Sequence, residues 1–209
     1  MEDINNLDEA KILGYFESIE SVFLLKLIFL VSFVEEKNGK RYINAYKLRP
    51  DAISSIKHFF GDPIFYDALF RGNEELYLNY VEDMVTSLLT SSWNVFEQIT
   101  KDLTKANYAT QTDELSVCYQ NNKFQFNSHE KKDIELFYYI RNAIHHYNGA
   151  YNAAKDIDHR YAGMDFKSLG HYGEKMDVSI ELAWKITRDL SRYTIKAWSN
   201  ANSLRSAKP

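Results

Sequence analysis

Apolar residues recur along this chain mainly at helical spacing. Between 74 and 105, Val81, Val85, Leu88, Ser92, Phe96, Ile99 and Leu103 fall on one face at a period of about 3.6 residues, predicting one long amphipathic helix. Asn127 followed by Glu130 has the form of a capping box that opens the next helix. That helix runs through Leu136, Phe137, Ile140, Ala143 and Ile144, with Tyr147 on the same side, and Asn148-Gly149 supplies a stop. A last helix, roughly 178–199, is capped by Asp177 or Ser179 and turns Leu182, Ile186, Leu190, Tyr193 and Ala197 toward a core. Near the start, 13–34 is apolar nearly all round, which predicts a well-buried helix.

The segments between these helices are less regular. Residues 1–9 are polar and expected to fray, and Asn38-Gly39 breaks the first helix. Pro50 suits the first turn of a short helix over 50–60, and 64–70 holds one or two turns. Residues 105–126, with Cys118, read as a loop; 151–175, with Gly163, Gly170 and Gly173, read as irregular with a small hairpin or lid. The fold class is therefore all-α. Three prolines and eight glycines in 209 residues support that over a turn-rich β fold.

Composition narrows the function classes. The net charge of −4 gives no global basic field, so any nucleic-acid contact has to be local. A single cysteine excludes an internal disulfide framework and fits a reducing, cytoplasmic setting. No basic region precedes an apolar stretch at the acidic start, so no signal peptide is expected. The very apolar run 22–34 spans 13 residues and contains Lys26, short of the roughly 20 a membrane span needs. Charge is uneven: residues 1–36 carry eight acidic and two basic side chains, residues 178–209 six basic and two acidic. Lys185, Arg188, Arg192 and Lys196 form a stripe opposite the core face of the last helix and are candidates to track a phosphate backbone, although a solvated helix face has the same pattern. Trp184, Ile195 and Trp198 lie on a third flank, as core beneath the N-terminal segment or as a dimer contact.

The densest acid–base chemistry is Arg141-Asn142-Ala143-Ile144-His145-His146. At about 100° per residue, Arg141 and His145 share the edge of the apolar stripe, and His146 lies near Asn142 about a quarter-turn on. Arginine offers a fixed cation whose donor fork matches phosphate oxygens, histidine moves a proton near neutral pH, and asparagine both donates and accepts. Such a set suffices to activate a 2′-hydroxyl and stabilise a phosphorane without a metal. The bland alternative is cations and imidazoles hydrogen-bonded to a helix C-terminus. A metal site is disfavoured. His145, His146, Asp156, Asp158 and His159 lie close in sequence, but adjacent helical histidines point about 100° apart and no His-Glu-x-x-His spacing occurs. Gly-rich phosphate loops and Gly-x-Ser-x-Gly are absent, so no cofactor is expected.

Arg141-Asn142-x-x-x-His146 with Asn148-Gly149 after it resembles the signature of the HEPN superfamily. The resemblance covers about 74–199 and implies an HEPN-like helical bundle over 74–200, with an N-terminal helical extension over 1–73 and a flexible tail over 201–209. Phe96-Glu97 corresponds weakly to a second polar position found on the preceding helix of family members. Many members are metal-independent endoribonucleases of toxin–antitoxin or antiphage systems, and others are inactive modules that bind a nucleotide or a protein partner. Carried over, Arg141 stabilises the scissile phosphate, His146 is general base or acid, and Asn142 and His145 orient groups around them. The resemblance also implies RNA as substrate, a homodimer in which two motifs share one cleft, and an antitoxin or regulatory protein as a further partner.

Overall fold

The computed structural model describes residues 6–44, 74–108, 124–146, 159–166 and 178–206. Among them the chain is all-α, with four long helices and two short hairpins: α1 Glu9–Phe33, β1 Val34–Lys37, β2 Lys40–Ile43, α2 Glu74–Tyr108, α3 Ser128–His146, β3 Arg160–Tyr161, β4 Met164–Asp165 and α4 Ile180–Ser206. The short elements expected over 50–60 and 64–70, together with Cys118, lie outside the described residues. The chain divides into two compact units, one of residues 1–20 and 85–209, the other of residues 21–84.

In the first unit the helix starts are set by local side chains. Asp8 Oδ1 accepts from Lys11 N at 2.8 Å, so α1 begins at Glu9, earlier than the apolar pattern implied. The capping box of α3 is reciprocal: Asn127 Oδ1 accepts from His129 N and Glu130 N at 2.9 Å each, and Asn127 N donates to Glu130 Oε2 at 2.8 Å. Of the two caps considered for α4, Ser179 performs the task, its Oγ accepting from Leu182 N at 3.2 Å.

The core of this unit follows the apolar faces. Leu88, Phe96, Ile99 and Leu103 of α2, Phe137 and Ile140 of α3, and Leu182, Ile186, Leu190 and Tyr193 of α4 are all buried. Small residues line α4 beside them. Ala183, Thr187, Thr194, Ala197 and Ala201 are fully buried, and Ser92 Oγ on α2 lies at hydrogen-bond distance, 3.0 Å, from Thr187 Oγ1. Short side chains at these positions let helix backbones approach closely, and each hydroxyl stays satisfied: Ser92, Thr100 and Thr194 also donate to a carbonyl one turn back. Three boundaries differ from those read in the sequence. Helix α2 continues to Tyr108. Phe124 and Phe126, placed in a polar loop by sequence, are buried. Helix α4 runs through Ser206 with Ala201 at 0 % exposure, where a flexible tail was expected. Trp198 lies under the N-terminal segment, its Nε1 donating to Leu7 O at 3.0 Å.

The second unit contains the later part of α1, the β1–β2 hairpin and the start of α2. The hairpin pairs Val34 with Ile43 and Lys37 with Lys40 in antiparallel register. Its turn places Asn38 at φ 56° and Gly39 at φ 73°, the doubly left-handed geometry that Asn-Gly favours. Here the sequence showed a helix breaker and the structure a hairpin. Tyr80 OH donates to Lys26 O at 3.2 Å, Lys26 pairs with Asp83 at 2.8 Å, and Phe29 packs on Tyr80. The expectation that α1 is well buried is corrected. Phe23 and Leu30 are buried, but Leu25 is 68 % and Val31 73 % exposed, with Val22 and Ile28 also exposed. A helix without a polar face lacks a preferred solvent side, yet it is covered only where neighbouring elements meet it.

Candidate functional site

Helix α3 carries the sequence-predicted motif at its C-terminal end. Ile140 and Ala143 are buried, and Ile144 is half-buried. Arg141 and Asn142 are half-buried beside them, with Arg141 Nη1 donating to Asn142 Oδ1 at 2.8 Å. The guanidinium thus lies at the margin of the apolar stripe in the last turns of the helix, where the macrodipole favours a cation. The backbone is helical through His146. The side chains of His145 and His146, and the whole of Tyr147, Asn148 and Gly149, lie outside the described residues.

The basic stripe of α4 is salt-bridged. Lys185 pairs with Asp189 at 3.0 Å, Arg188 with Glu20 at 3.0 Å, Arg192 with Asp189 at 3.1 Å, and Lys196 with Glu130 at 2.6 Å. Each of the four cations already has a carboxylate partner, so the stripe is a line of ion pairs rather than bare positive charge. Glu97 is likewise engaged: Trp93 Nε1 donates to it at 3.0 Å and Lys101 pairs with it at 2.7 Å.

A second cluster brings together residues that no sequence motif joined. Asp133 on α3 is buried and faces three side chains: His159 Nε2 at 2.5 Å, the Tyr193 hydroxyl, which donates to Oδ2, and His129 Nδ1 at 3.3 Å. The His129 and His159 rings meet edge to face at 4.9 Å. His159 immediately precedes the β3–β4 hairpin, which turns at Ala162-Gly163 with both residues at positive φ, and Phe166 N returns to His159 O at 2.9 Å. Tyr161 on this hairpin packs on Phe137 and donates to Asp189 Oδ2 at 2.7 Å. Burial, reinforced by the neighbouring carboxylates, holds the Tyr161 and Tyr193 phenols well above their ordinary range, so both remain hydrogen-bond donors. Two buried aspartates therefore anchor one small hairpin to two helices.

Among the described residues, His129, Asp133 and His159 form a group whose ligand atoms lie within 4.8 Å of one another. The sequence held one trace of it: His129 and Asp133 stand four apart, on one face of α3. His159 and Tyr193 lie 26 and 60 residues from Asp133, beyond any local spacing. Compared with family models, curated proteins and solved structures, the chain matches none.

Proposed function

We propose that the chain is a metal-independent endoribonuclease of the HEPN type, acting as a toxin or antiphage effector. The observation that supports this most is the placement of Arg141 and Asn142 as a hydrogen-bonded, half-buried pair in the last turns of α3, with the helix continuing to His146. A cation at the edge of a core, at the end of a long helix, is held in position with little entropy left to lose on binding a phosphate. In the reaction Arg141 stabilises charge on the scissile phosphate, and His146 takes the 2′-hydroxyl proton or protonates the leaving 5′-oxygen. Asn142 and His145 orient these groups. The products are a 2′,3′-cyclic phosphate and a 5′-hydroxyl. Single-helix geometry puts His145 rather than His146 on the face of Arg141, so the proposal includes a homodimer in which one chain's His146 meets the other's Arg141.

Incubation of the purified protein with total RNA in EDTA, beside Arg141→Ala and His146→Ala, tests this reading. Cleavage by the wild type that falls by more than about a hundredfold in each variant is expected. Equal cleavage by all three would sink it. A second reading, a non-catalytic module that binds a nucleotide or a protein partner, draws on the salt-bridged stripe of α4, which leaves little unpaired positive charge for a nucleic-acid backbone. Absence of cleavage with retained nucleotide binding would favour it.

A further inference from the structure

We propose that His129, Asp133 and His159 bind a divalent transition-metal ion of the zinc class, at a site separate from the ribonuclease chemistry. Two imidazole nitrogens and one carboxylate oxygen form a donor set suited to zinc, cobalt or nickel and poorly matched to magnesium or calcium. The spacing agrees. His129 Nδ1 and Asp133 Oδ2 are 3.3 Å apart, close to the separation of two ligands bound tetrahedrally at about 2.0–2.1 Å. His159 Nε2 and Asp133 Oδ1 stand at hydrogen-bond distance, 2.5 Å. Coordination replaces the hydrogen bond between them, with His159 ligating through Nε2 as the neutral imidazole that keeps its proton on Nδ1, and requires these two atoms to part by less than about 1 Å.

Three further features point to an ion rather than a closed hydrogen-bond cluster. Asp133 already has two partners in His159 and Tyr193, yet His129, with a side chain 67 % exposed and free to turn outward, lies against it as a third. No lysine or arginine pairs with Asp133 among the described residues, whereas buried Asp189 has both Lys185 and Arg192. A fixed cation would oppose a metal, and here that place is taken by neutralisable imidazoles. Finally, the Tyr193 hydroxyl donates to Asp133 Oδ2, the outer hydrogen bond that commonly orients a ligating carboxylate. Three protein ligands leave a coordination position on the exposed His129 side for water.

The ion joins the first two turns of α3 to the β3–β4 hairpin. Asp133 and Arg141 are eight residues apart on α3, about 12 Å along the axis, so an ion at Asp133 does not reach a phosphate held by Arg141. The full-length chain, stripped with EDTA and dialysed, would be titrated with cobalt(II) by visible absorption and with zinc(II) by calorimetry. One equivalent bound per chain is expected, together with a rise in melting temperature. His129→Ala removes an exposed side chain; without metal it should melt as the wild type does, and it should weaken zinc binding by more than about tenfold. Asp133→Asn should abolish the cobalt absorption. Failure of the wild type to take up one equivalent overturns the site, as does equal affinity in wild type and His129→Ala. Because the readout is metal uptake, either result stands apart from RNA cleavage.

Discussion

Asp133 and Asp189 are both buried, both accept a tyrosine hydroxyl, and both anchor the hairpin that starts at Arg160; their remaining partners differ in kind. Asp189 faces Lys185 and Arg192, permanent cations that bring a charge with them into a partly solvated position. Asp133 faces two histidines and sits deeper among Tyr193 and His159. A carboxylate with built-in counter-charges is self-sufficient. One surrounded by imidazoles has no fixed counter-charge and depends on its buried hydrogen bonds, and its imidazoles can turn to a metal ion instead.

The largest expected effect separates the two directly. Asp133→Ala strips the buried His159 ring and Tyr193 hydroxyl of their acceptor and should cost about 3 kcal/mol by urea denaturation of the metal-free protein, against about 1–2 kcal/mol for Asp189→Ala, whose cations can turn to water. Similar losses in both would erase the distinction. The tyrosines sharpen it further. Tyr193→Phe should cost about 1.5 kcal/mol and Tyr161→Phe about 0.5–1 kcal/mol, because Asp189 retains two fixed cations when its tyrosine is gone, where Asp133 retains two imidazoles. Lys185→Met should change stability by under about 0.5 kcal/mol, since one exposed cation remains replaceable by Arg192.

Glu20 provides a third case and the smallest effect. Among the described residues it pairs with the exposed Arg188, and burial raises its pKa above the ordinary 4.5 more than Arg188 lowers it. A carboxyl whose folded pKa is raised contributes stability below its unfolded pKa and loses it as pH rises through the folded value. Glu20→Gln should therefore match or slightly exceed the wild type at pH 7, by about 1 °C in melting temperature, and lose that advantage near pH 4. A clear loss at pH 7 would show that the Arg188 pair outweighs the burial.

Features made by neighbours in sequence were legible there. Asn127 and Glu130 announced the start of α3, and the core faces of α2 and α4 followed from their period, because caps and helical faces are local. The β1–β2 hairpin was missed although Asn38-Gly39 carried its turn signal, since four-residue strands scarcely develop an alternating pattern. The outward side of α1 was read as buried because hydrophobicity records what a helix lacks, not what covers it. The Asp133 cluster left only the His129–Asp133 spacing in the sequence, for a different reason: its members come from α3, the residue before β3, and α4, and only the packing of Phe137, Tyr161 and Tyr193 brings them together. Arg141 and Asn142 stood out in the sequence by residue type and spacing, and in the structure they are half-buried neighbours joined by a hydrogen bond that the sequence did not announce.

Helix α3 is also a phase coupler. Its reciprocal cap, with Glu130 further gripped by Lys196, fixes the angular setting of its first turn. The azimuth of Arg141 is then dictated by the number of residues in between. One alanine inserted between Asp133 and Arg141 would turn the guanidinium about 100° around the axis while the capped end stays in register; four would bring it back to within about 40° and carry it about 6 Å further along. The helix thus works as a vernier between its anchored end and the end that carries the arginine.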